Sequence, residues 1–264
     1  MIKKITSRDN EKLKYTRSLL KAKNRNKESK FIVEGLRILS LALESGAKID
    51  YIFINDDFEN KEDHKKLLKE FESSDVDIYK TSNKNFNELV DTENTQGIIG
   101  VKTYKSNNLK ESLTDQKFIV VLDRVQDPGN MGTIIRTADA AGVEAVVILK
   151  GSVDIYNPKV IRSTMGSIYT MNIINSEEKE IVDVLNEKNF NIVSSYLDTD
   201  NYYDKADYGS KVALVIGNEA NGVSDYLVSK SDTLVKIPMY GSAESLNAAI
   251  SSAILMYEIK KHLV

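Results

Sequence analysis

KIPMYGSAESLNAA, residues 236–249, joins an apolar strand end to a polar Gly/Ser/Asn loop and runs straight into a helix of small residues. Two loops of similar make-up come earlier, DPGNMGTIIR at 127–136 and GNEANG at 217–222. Each follows a short apolar run and precedes a predicted helix. Open α/β sheets bind ligands in the crevice beyond the carboxyl ends of their strands. Three such loops in one domain therefore predict one composite site.

Around these loops, strands are predicted at 118–122 (FIVVL), 145–149, 170–174, 191–195, 212–216 (VALVI) and 234–237. Helices are predicted at 131–141, 158–165, 177–188, 224–229 and 246–262. Runs as apolar as FIVVL fit strands covered on both faces, and alternation of strands with helices gives a mostly parallel sheet. The N-terminal part also alternates. Its helices are predicted at 8–24, 34–45, 61–73 and 83–90, and its strands at 31–33, 51–54, 76–79 and 98–101. The expected organisation is α/β throughout: a smaller N-terminal α/β sandwich at 1–104, a polar linker at 105–116 and a parallel-sheet domain at 117–264.

Composition narrows the chemistry. Zero Cys excludes disulfides, thiolate metal sites and a Cys nucleophile. The two His, His64 and His262, sit in charged surroundings and read as surface residues, so no metal site and no His-dependent triad is expected. No apolar run reaches membrane-span length and no signal peptide is visible, which makes a cytoplasmic protein the simplest reading. Net charge is −3, yet residues 1–30 hold eleven Lys/Arg against three acids. A basic end on an acidic chain reads either as a phosphate-backbone contact or as a solvated helix face.

Each loop has its own logic. In 127–136, Pro128 and Gly129 make a turn, Asn130 is placed to cap the helix, and the helix N-terminus offers free amides to an anion. Arg136 lies one and a half turns further on, where it reaches back to the site or out to a partner chain. Loop 217–222 lacks the Lys-Ser/Thr of a phosphate loop, so ATP or GTP is not expected. Glu219 suits a cation, a ribose hydroxyl or loop organisation. In 237–247, Gly241 allows backbone contact with a ligand, Ser245 and Asn247 offer hydrogen bonds, and Met239 and Leu246 can hold a flat apolar ring.

Taken in order, Asn130-x-Gly132-x-x-x-Arg136, Gly217-x-Glu219-x-x-Gly222 and the run from Ile237 to Asn247 (IPMYGSAESLN) resemble the motifs of the SpoU (TrmH-like) RNA ribose methyltransferases of the SPOUT superfamily. The resemblance covers about residues 117–262. SRDNEKLKYTRSLL, KFIVEGLR and NTQGIIGV resemble, more loosely, the RNA substrate-binding domain fused to many members, itself similar to a ribosomal protein fold.

The resemblance implies a parallel sheet with a deep trefoil knot near the C-terminus, and S-adenosylmethionine held by Gly217, Glu219, Ile237, Met239 and Leu246. It implies a homodimer whose sites are completed by the partner chain. It also implies methyl transfer to a ribose 2′-hydroxyl, with Asn130, Arg136, Glu219, Ser245 and Asn247 as the catalytic set. By resemblance Arg136 contacts the reacting nucleotide, as base or as orienting and charge-stabilising group; arginine stays protonated in proteins, which favours the second role. Ribosomal RNA of the large subunit is the expected substrate and transfer RNA the next. An antibiotic-resistance enzyme would carry the same motifs. Intact motif residues argue against an inactive RNA-binding module, and the missing Gly-x-Gly-x-x-Gly argues against a dinucleotide oxidoreductase.

Overall fold

The computed structural model describes residues 2–105 and 107–263. The chain forms two compact units, one made by the chain up to Lys105 together with Asp154–Tyr169, the other by the rest.

The first unit runs β1 (Ile2–Ile5), α1 (Glu11–Ser18), α2 (Ala22–Glu28), β2 (Lys30–Glu34), α3 (Leu36–Glu44), β3 (Tyr51–Ile54), α4 (Glu62–Ser73), β4 (Asp77–Thr81), α5 (Asn83–Asn87) and β5 (Ile98–Thr103). Its mixed sheet has the order β1-β4-β3-β5-β2. β4 is parallel to β1 and β3, while β5 is antiparallel to β3 and β2. β1 escaped the sequence reading because its half-exposed IKKI pattern is that of an edge strand. The helix expected at 8–24 is two helices. The break at Leu19–Lys21 is fixed by Arg25, whose Nη1 donates to the carbonyls of Leu19 and Leu20 at 2.9 and 2.8 Å.

Arg25 also corrects the reading of the basic N-terminus. It is 3% exposed and pairs with Asp154 at 2.6 Å inside this unit. Lys3, Arg8, Lys14, Arg17, Lys27 and Lys30 each pair with a carboxylate. Much of the local excess of charge is thus internally matched. His64 is likewise not a surface residue. It is buried, stacks on Phe58 with ring centroids 4.5 Å apart, and its Nδ1 lies 2.8 Å from the Phe58 carbonyl oxygen. His262 is exposed and stands 3.1 Å from Glu258.

The chain continues with α6 (Leu109–Ser112), β6 (Phe118–Leu122), α7 (Pro128–Ala140), β7 (Ala145–Leu149), α8 (Pro158–Thr164, in the first unit), β8 (Ile173–Ser176), α9 (Glu178–Glu187), β9 (Asn191–Ser195), β10 (Val212–Ile216), α10 (Asp225–Lys230), β11 (Thr233–Val235) and α11 (Ala248–Leu263). In the polar stretch at 105–116, Leu109 and Leu113 are buried in the core of the second unit. The six strands of that unit are all parallel, in the order β11-β9-β10-β6-β7-β8. β6, β7 and β10 are buried along their whole length, which explains their unbroken Val/Ile/Leu runs. From β6 the order runs through β7 and β8 on one side and β10, β9 and β11 on the other. The register Ile216↔Leu122 then sets the two strand ends, and the loops they feed, side by side at this switch point.

Candidate active site

The three loops meet at the carboxyl end of the second unit's sheet through one chain of hydrogen bonds. Glu219 Oε1 accepts from Asn130 Nδ2 at 3.0 Å and from the Asp127 amide at 3.2 Å, and its Oε2 accepts from the Gln126 amide at 3.3 Å. Asn130 Oδ1 in turn accepts from Asn247 Nδ2 at 2.9 Å. Asn247 Oδ1 receives the amides of Ala249 and Ile250 at 2.9 and 3.3 Å, which caps α11. Glu219, Asn130 and Asn247 are therefore locked in fixed orientations although they are distant in sequence.

Two expectations for the first loop change. The cap of α7 is Asp127, whose Oδ1 accepts from the Asn130 amide at 2.8 Å, and the helix begins at Pro128. Asn130 lies inside the first turn, so its carboxamide is available to Glu219 and Asn247. Three amides here are engaged within the protein: Asp127 takes that of Asn130, and Glu219 takes those of Gln126 and Asp127. Burial pushes the Glu219 carboxyl up, but the hydrogen bonds from Asn130 and from backbone amides outweigh this and hold it below its ordinary value. Of the roles open to Glu219 in the sequence, loop organisation is the one these bonds display.

Loop 217–222 closes as a tight turn. Asn218 and Gly222 exchange backbone bonds at 3.0 and 2.9 Å. A Cβ on Gly217 would stand 2.1 Å from the Gly222 carbonyl carbon, so no larger residue fits there.

This turn forms one wall of a cavity of about 390 Å³. Gly217, Glu219, Ile237, Met239 and Leu246, the five positions assigned to a cofactor, all line it, and so does Ser245. Ile216, Val235 and Leu255 add apolar surface, while Ser195 and Asp198 add polar groups. Volume and mixed lining suit a small molecule with one flat apolar part and several hydrogen-bonding groups. The 195–198 contribution was missed because SSYLD lacks glycine and any motif spacing. Only its place at the end of a predicted strand, β9, marked it.

Arg136 is not among the lining residues. It is exposed on α7, and no hydrogen bond or ion pair engages it among the described residues. Asn130 and Arg136 are six positions apart, which turns their side chains to different faces and separates them by about 9 Å along the axis. Within one chain, then, the structure brings Asn130, Glu219 and Asn247 together, sets Ser245 at the cavity, and leaves Arg136 apart. α7 packs on α11, whose Ile250 and Tyr257 are 52% and 56% exposed.

Residues 117–257 match the SpoU rRNA Methylase family, and residues 10–100 match the MRM3-like substrate binding domain. The 23S rRNA (guanosine(2553)-2′-O)-methyltransferase RlmP of Bacillus subtilis is 33% identical over 98% of this chain and 100% of its own. The 23S rRNA (uridine(2479)-2′-O)-methyltransferase of Streptomyces viridochromogenes is 30% identical over 97% of this chain and 91% of its own. Among solved structures, an AdoMet-bound rRNA methyltransferase from Sinorhizobium meliloti superposes with a TM-score of 0.88 at 30% identity, covering 100% of this chain and 99% of that one.

Proposed function

Because this chain belongs to the SpoU rRNA Methylase family, we propose that it transfers a methyl group from S-adenosylmethionine to a ribose 2′-hydroxyl of large-subunit ribosomal RNA. The observation that carries this reading is the cavity beside the Glu219–Asn130–Asn247 chain, lined by all five positions assigned to the cofactor. Relatives named for 23S ribosomal RNA align with nearly the whole chain, which favours that RNA over transfer RNA.

The cavity fits the cofactor by its chemistry. Gly217, which tolerates no Cβ, brings backbone groups to the wall, and Ile237, Met239 and Leu246 offer apolar surface for a flat ring. When bound, S-adenosylmethionine supplies an activated methyl on a sulfonium. The protein's task is to align a weak nucleophile with that methyl and to stabilise charge as its proton leaves. Asn130, held from both sides, positions the ribose, and Ser245 and Asn247 hold the reacting hydroxyl and the loop. Arg136 orients the nucleotide's phosphate and stabilises developing alkoxide. The exposed position of Arg136 and the apolar stripe of α11 support a two-fold dimer in which Arg136 serves the partner's cavity. The segment 10–100 acts as the RNA-binding domain, and the enzyme works in the cytoplasm. No helix among the described residues is long and apolar enough to cross a membrane.

The test is methyl transfer from labelled S-adenosylmethionine to 23S ribosomal RNA lacking this modification. Label recovered as a ribose methyl supports the reading. Label on a base, or label in transfer RNA alone, overturns it.

A further inference from the structure

Beneath the cavity wall, Asp123 and Arg124 close a circuit of bonds to which methyl transfer assigns no part. Asp123 follows β6 and is fully buried. Its Oδ1 accepts from Arg124 Nε at 2.8 Å, and its Oδ2 accepts from Arg124 Nη2 at 2.9 Å and from the Ser224 amide at 2.8 Å. Arg124 sits at φ +56°, in the left-handed region that side chains rarely occupy. Such a conformation persists where the surroundings over-determine it.

Here the surroundings are the loop that lines the cavity. The Arg124 carbonyl accepts from Asn218 Nδ2 at 2.9 Å, and the guanidinium Nη2 lies 3.4 Å from the Gly222 carbonyl oxygen. Asn218 Oδ1 then receives the amides of Ala220 and Asn221, each at 3.0 Å. Asp123 and Arg124 thus grip the loop at Asn218 near its start and at Ser224 at its end. Glu219, which meets Asn130, stands between those two grips.

We infer that Arg124, folded back onto Asp123, is a positioning residue for the cofactor loop: its guanidinium holds Gly222 and its left-handed backbone turns the carbonyl toward Asn218, so that Glu219 meets Asn130 and the cavity wall keeps its shape. This role rests on the methyl-transfer reading.

Two variants test it in the full-length protein. Arg124→Gly removes the guanidinium and places at this position a residue that adopts φ +56° freely. Arg124→Lys keeps the charge and loses the fork. S-adenosylmethionine affinity is measured by calorimetry, together with KM for cofactor and RNA separately and the melting temperature. The expected result is a loss of cofactor affinity of roughly 10- to 100-fold in both variants, an unchanged KM for RNA, and a lower melting temperature in Arg124→Gly, because the buried Asp123 loses its partner. Wild-type cofactor affinity in Arg124→Gly overturns the role. So does a loss of cofactor affinity accompanied by a rising KM for RNA, the pattern of general loosening. A wild-type protein that binds no S-adenosylmethionine overturns the methyl-transfer reading itself, which is separable because the variants are then not needed.

Discussion

Asn247 donates its carboxamide to that of Asn130 at 2.9 Å, across 117 positions of sequence. Asn130 in turn donates to Glu219. This middle residue is both acceptor and donor, so no single-function side chain replaces it. Asn130→Ala is expected to lower kcat by roughly 100-fold, as misplacement of about an ångström does. Asn130→Asp keeps the acceptor for Asn247 and sets a second carboxylate against Glu219, and it is expected to be as inactive. Steady-state methyl transfer with saturating RNA measures both. Activity within about threefold of wild type in either variant would remove the bridge from the mechanism.

Glu219 gives a pH-dependent signature. Its folded pKa lies below the ordinary value of 4.5. A depressed carboxyl stabilises the fold fully above its unfolded pKa, and this contribution is lost as pH falls through the folded one. Glu219→Gln is therefore expected to be less stable than wild type near neutrality, with the gap closing as acid is added below about pH 4.5. Urea midpoints of the two proteins from about pH 6 down to about pH 3 provide the comparison. A gap that widens in acid contradicts the sign.

Arg25 separates structural charge from charge available to RNA. Arg25→Ala leaves Asp154 without its partner and uncovers the carbonyls of Leu19 and Leu20. Removing one partner of a buried pair costs about 3–5 kcal/mol. Lys23→Ala, at an exposed position on the same helix, is expected to shift stability by no more than about 0.5 kcal/mol. Thermal melts of the two variants decide it, and equal shifts would mean that burial of Arg25 contributes nothing.

The sequence made the second unit's layout legible because its central strands β6, β7 and β10 are continuous apolar runs and its loops hold their polar residues at fixed spacing. The same spacing could not show which residue caps α7. Asp127 and Asn130 are both good caps, and only the position of Glu219, reached through the fold, leaves the role to Asp127. His64 was misplaced for a related reason. Its neighbours DHKK are charged, but the helical repeat that buries Leu67, Leu68 and Phe71 turns His64 inward beside Phe58. Arg124 gave no local signal at all, since a left-handed arginine is set by its contacts and not by its neighbours in sequence.

Arg136 yields the sharpest test of the dimer. It is exposed on α7 and unpaired among the described residues, so Arg136→Ala is expected to change stability by no more than about 0.5 kcal/mol. Its kcat should nevertheless fall by roughly 100-fold or more, with cofactor affinity intact. Arg136→Lys should be nearly as inactive, because a point charge does not replace a planar fork. If Arg136 serves the partner's cavity, then Asn130→Ala and Arg136→Ala fall in the same site of a mixed dimer. One site carries both lesions and the other carries none. Mixing the two inactive proteins after reversible dissociation should then restore about a quarter of wild-type activity, since about half the dimers are mixed and each has one intact site. If both residues act within one chain, every site keeps a lesion and mixing restores nothing.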